Sequence, residues 1–129
     1  MSEANVEIVR RTYEWFARGD LDAILADTHP AVVLRAHPFG EEYEGHEGFL
    51  RFVSNWTDQF EDFRQRPEQF IDAGDRVVVR VLQTARGRGS GVPVEALFWL
   101  VHVLDGGKVT RVELFDNEAA ALEAAGLSE

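Results

Sequence analysis

The chain has 129 residues, 45% of them hydrophobic, and its 23 Asp and Glu against 13 Lys and Arg leave a formal net charge of −10. That composition supports one domain with a real core and excludes the low-hydrophobicity, high-charge regime of disordered chains. The acidic balance and the scatter of the 12 Arg along the chain argue against nucleic acid as a partner, and the lack of Cys excludes disulfides and thiolate chemistry.

Val6, Val9, Tyr13 and Phe16 recur at helical spacing after Ser2, a ready N-cap, so a first helix is predicted with one buried face. Gly19 suits the left-handed end of that helix, and Asp20 caps a short second one running through Ala26. The β-branched run Ala31–His37 reads as a strand, followed by a turn at Pro38 and Gly40 and an acidic loop, Glu41–Gly45. On that strand, hydrophobicity places Val32, Leu34 and Ala36 in the core. A third, aromatic helix is predicted from Phe49 through Phe52, Trp56, Phe60 and Phe63, stopping before Pro67. Phe52, Trp56 and Phe60 would give it one wall of a pocket.

Four strands follow: Glu68–Ala73, Arg76–Arg86, Val92–Leu104 and Lys108–Phe115. The glycine turns between them imply an antiparallel meander. Asn117 caps a closing helix that Gly126 ends. Val92–Leu104 is apolar on both of its faces, so both are expected to be covered, by helices on one side and by a partner subunit on the other. A homodimer through the open face of the meander, with Phe98, Leu100 and His102 in its interface, is therefore expected. The opening MSEANVEIVRR lacks a basic and then apolar leader, and no stretch approaches the ~18 apolar residues of a membrane span. A cytoplasmic protein with no membrane partner is expected.

Sequence motifs exclude more chemistry than they suggest. There is no P-loop and no Gly-x-Ser-x-Gly, and the glycines of Arg86–Gly91 join strand to strand, without the helix that a dinucleotide phosphate needs. His37–Glu47 gathers two His and four Glu without paired metal-ligand spacing, so neither a metal nor a cofactor is expected. Asp116 ends the apolar face Val112, Leu114. It reads either as a pocket carboxylate tuned by its neighbours or as a solvated residue beside the Asn117 cap. His37 is either a general base or a histidine at a loop edge. Arg35 pairs either with an anionic substrate or with Glu95 or Glu113.

The segments NVEIVRRTYEWFARGDLDAILA, HPFG, the G-H-E-G lead into an aromatic helix, and DGGKVTRVELFDNEAAALEAAGL resemble the SnoaL-like branch of the NTF2-like superfamily. The resemblance covers nearly the whole chain. It implies an α+β cone, in which a strongly bent, mainly antiparallel sheet wraps around three helices of the N-terminal half, with a short C-terminal helix and a deep apolar pocket. The superfamily holds cyclases, an isomerase, hydrolases and proteins that only bind, so the fold leaves the function open. Tyr13 matches the isomerase's oxyanion-binding tyrosine. His37 stands where that enzyme has its base, and Trp99 where it has a second acid. The cyclases use an Asp near the end of the last strand, where this chain offers Asp116 and Asn117.

The resemblance thus implies a pocket for a small, mostly apolar organic molecule, with cofactor-free acid/base chemistry or with binding alone. Asp116 and His37 are the candidate proton carriers and Tyr13 the candidate donor. Arg35, Phe16, Trp56, Phe60, Trp99, Val112 and Leu114 are the candidate substrate-binding residues.

Overall fold

The computed structural model describes residues 2–127. Ser2 Oγ accepts the Asn5 N–H at 3.1 Å and starts helix α1 (Glu3–Ala17). Gly19 takes a φ of 73°, and Asp20 accepts the Ala23 N–H at 3.1 Å to start α2 (Leu21–Ala26). Arg11 clamps Asp27 with two bonds of 2.7 and 2.8 Å, which fixes the angle between the two helices. The chain then enters strand β1 (Thr28–Ala36), whose Val32, Leu34 and Ala36 are buried as the alternation requires.

Two segments differ from the sequence expectation. The acidic loop is an edge strand, β2 (Glu41–Glu44), antiparallel to β1. Its charges suit an exposed edge, and Tyr43 is its one buried side chain. Helix α3 spans Gly45–Thr57 and stops before Phe60, because Phe60 and Phe63 belong to strand β3 (Phe60–Ala73). Between Glu61 and Arg64 that strand gains a residue on its neighbour, and Asp62 adopts a φ of 53°. A pleat of two plus one bulged residue makes three, so both rings reach Trp56, at centroid distances of 6.1 and 6.0 Å. The bulge thus mimics a helical spacing. Pro67 is tolerated because β3 is an edge strand and a second register shift lies beside it.

Strands β4 (Arg76–Gly87), β5 (Pro93–Asp105) and β6 (Lys108–Phe115) complete a six-stranded sheet ordered β2-β1-β6-β5-β4-β3. Among the described residues only the β1/β6 pair, one in from the β2 edge, is parallel. The sheet curves around α1 and α3, and its inner face forms the main core with Val9 and Tyr13 of α1 and Phe49, Phe52 and Trp56 of α3. The outer face is covered in part from within the chain. Helix α4 (Glu118–Ala124), capped by Asn117, packs Ala121 against Val78 and Val101, each 0% exposed. Among the described residues no helix is long and apolar enough to cross a membrane.

Candidate functional site

A cavity of about 80 Å³ lies between α1, α3 and the inner face of the sheet. A single water needs only ~10–15 Å³ on this measure, so the space suits a larger guest. Most of its wall is apolar: Phe16, Phe49, Phe52, Trp56 and Phe63 meet Val32, Leu34, Leu100, Val112 and Leu114. Its polar groups are Thr12, Tyr13, Thr28, Gln65, Gln83 and His102, and none of the lining residues is Asp, Glu, Lys or Arg.

Two of these groups form a pair. Tyr13 projects from the buried face of α1 and His102 from the inner face of β5, with Tyr13 Oη and His102 Nε2 2.9 Å apart. Burial pushes the His102 imidazole down to about 4, so the ring is neutral near pH 7. Burial likewise raises the Tyr13 phenol above its ordinary value, and it keeps its proton. A neutral pair can share its hydrogen bond in either sense. When His102 donates to Tyr13 Oη, the phenolic O–H is left for a ligand oxygen. When Tyr13 donates, its oxygen accepts from a ligand.

Of the residues singled out in the sequence, Tyr13, Phe16, Trp56, Val112 and Leu114 come together around this space. Phe60 stands behind it, stacked on Trp56. The others lie elsewhere. Asp116 is exposed and outside the cavity, because β6 ends at Phe115 and the chain leaves the pleat to enter the Asn117 cap. Trp99 lies on the outer face of β5, opposite Phe115, since alternation that points Phe98, Leu100 and His102 inward must point Trp99 outward. The same alternation removes Phe98, Leu100 and His102 from any interface on the outer face.

His37 starts a short 3₁₀ turn (His37–Phe39) outside the cone. Its Nε2 is 2.7 Å from Glu113 Oε1, and its ring stacks on Phe115 at 4.5 Å. Burial opposes ionisation of Glu113, yet hydrogen bonds from His37 and Arg111 outweigh it and hold the carboxyl below its usual range. Arg35 pairs at 2.6 Å with Glu42 on the edge strand β2, rather than with Glu95 or Glu113. Neither Arg35 nor His37 reaches the cavity. The site residues that sequence reasoning missed are His102 and Gln83, both buried on inner faces.

A bent sheet closed by helices around an interior cavity is the NTF2-like cone. The profile of the SnoaL-like domain matches residues 9–112, and the chain belongs to that family. Among solved structures, an NTF2-like protein from Burkholderia pseudomallei K96243 is 26% identical, with a TM-score of 0.79 over 95% of this chain and 97% of its own. TerC, co-crystallized with polyporic acid, is 26% identical, with a TM-score of 0.78 over 96% and 99% of the two chains. An NTF2-like protein from Burkholderia thailandensis E264 is 23% identical, with a TM-score of 0.80 over 95% of each chain. No curated protein matches the chain.

Proposed function

We propose that this protein binds a small, mostly apolar organic molecule in the cavity between α1, α3 and the sheet, and polarises one of its oxygens through the Tyr13–His102 pair. The observation that carries the reading is the 2.9 Å contact between two uncharged groups in a mostly aromatic and aliphatic wall. In such a dry setting a hydrogen bond from Tyr13 to a carbonyl gains strength as negative charge develops on the oxygen. Among the described residues no carboxylate lines the space, and His102 is the one lining group suited to exchanging a proton. That makes binding with hydrogen-bond activation the better-supported reading, ahead of acid/base chemistry by Asp116 and His37, which do not line the space. The co-crystallization of TerC with polyporic acid supports an organic ligand as the class of guest.

Titration with acetophenone, followed by NMR of the labelled protein, tests this. Shifts are expected at Tyr13, Trp56 and His102, and Tyr13→Phe should weaken binding about fivefold by removing one hydrogen bond of ~1 kcal/mol. No shift at cavity residues with acetophenone or with toluene would remove the pocket reading.

The same reading has the outer face of the meander closing a homodimer. It is supported by the pairing of Trp99 with Phe115 and by Leu82 and Leu97, which are all only half-buried in the single chain. Sedimentation equilibrium at micromolar concentration should then give about twice the chain mass of 14.5 kDa. A 14.5 kDa species would rule the dimer out.

A further inference from the structure

The inner face of β4 runs Val77, Val79, Val81, each 0% exposed, and then Gln83, which is 5% exposed. Three valines on one face set a rule that the glutamine breaks. Its cross-strand neighbours are Gln65 on β3 and the small Ala96 on β5, and the residue lines the same cavity as Tyr13 and His102. Gln83 Oε1 has no hydrogen-bond partner among the described residues.

A buried amide oxygen without a partner lowers stability, and an apolar side chain of similar shape would not. Packing therefore does not explain the residue. The cavity also offers no countercharge near pH 7, since none of the described residues lining it is Asp, Glu, Lys or Arg and the buried His102 is neutral. An ion entering it would give up its hydration for nothing of opposite sign.

We propose that the cavity selects uncharged molecules that present an N–H or O–H donor to Gln83 Oε1. This deepens the pocket reading above and rests on it. Gln83 is thus a specificity-determining residue: it favours a guest with a donor over a hydrocarbon of the same shape, while the uncharged wall excludes carboxylates and ammonium groups.

Three probes of similar size separate these statements: toluene, aniline and benzoate, titrated near neutral pH into the wild type and Gln83→Leu with NMR of the cavity residues as the readout. Toluene and aniline should both bind the wild type, and benzoate should give no cavity shifts at concentrations where aniline saturates. Gln83→Leu should lower the aniline-to-toluene affinity ratio about tenfold, with toluene still binding. Without ligand it should also melt a few degrees higher than the wild type, because it removes an unpaired buried amide. Gln83→Met, unbranched and closer to Gln in shape, takes its place if the leucine variant does not fold. An unchanged ratio, a lower melting temperature in the methionine variant, or benzoate binding as well as aniline would each overturn the proposal while leaving the pocket intact. Failure of toluene and aniline alike would overturn the pocket reading, and this proposal with it.

Discussion

Trp56→Ala should lower the unfolding free energy by roughly 3–5 kcal/mol, the range for truncating a large aromatic side chain in a core. The indole is where the aromatic cluster converges. Phe60 stacks on it at 6.1 Å, Phe63 lies 6.0 Å away, and Phe39 and Phe98 meet it edge-on at 5.6 and 6.0 Å. These partners come from β3, β5 and the turn after β1, so the ring joins α3 to two strands of the sheet and to that turn. Removing it leaves a void beside an existing cavity, and the neighbours can collapse only by breaking their contacts with one another. A domain's whole stability is about 5–15 kcal/mol, so the variant should show a much lower denaturant midpoint or fail to accumulate. Leu50 on the same helix is 40% exposed, and Leu50→Ala provides the control, with a change expected within about 1 kcal/mol. A Trp56→Ala midpoint equal to that of the control would show that the ring contributes no packing.

Much of the fold was legible because its signals are local. Ser2, Asp20 and Asn117 each make the cap that their residue type announces, and the glycine turns of the meander fall where the dipeptides place them. Val32, Leu34 and Ala36 are buried because alternation and hydrophobicity agree on β1. Where the reading failed, two signals conflicted. The bulge at Asp62 gave Phe60 and Phe63 a helical interval inside a strand, and the charge of Glu41, Glu42 and Glu44 concealed a strand whose only inward residue is Tyr43.

The site was less legible, because cavity residues are chosen by register between strands. Asp116 rests on alternation extended past the end of β6, and Trp99 on its match to the isomerase's second acid. The hairpin gave a better guide. Leu100 pairs with Leu114 and His102 with Val112 across β5 and β6, so the apolar face of β6 carries His102 inward with it. A register shift between Val103 and Leu104 is invisible in the sequence, and it moves the count from the turn by one residue. Gln83 left a plainer trace, as the polar residue that ends the period-two run Val77, Val79, Val81.

Acidification should destabilise the protein through His102. Burial sets its pKa at about 4 against an ordinary value of 6.5, with no acidic or basic side chain among the cavity residues to offset it. Below 6.5 the unfolded chain takes up a proton that the folded chain refuses, so folding stability falls as pH falls and stops falling near 4, where the folded ring is protonated too. Over that window the loss amounts to roughly 3 kcal/mol. Asp72 and Glu113 also lose stabilising interactions in acid. Their folded carboxyls lie below the ordinary range, held there chiefly by the Gly74 and Ser2 N–H groups at Asp72 and, against burial, by His37 and Arg111 at Glu113, so that loss comes mostly at lower pH. Denaturant unfolding at about pH 7.5 and about pH 5 should therefore show most of the histidine's share. His102→Gln keeps a hydrogen-bonding group near Tyr13 but cannot be charged, and its stability should change far less across the same interval. Equal slopes for the two proteins would mean that the folded imidazole accepts its proton as readily as the unfolded one. The Tyr13–His102 pair would then be charged in mild acid, and the exclusion of ions from the cavity would have lost its physical basis.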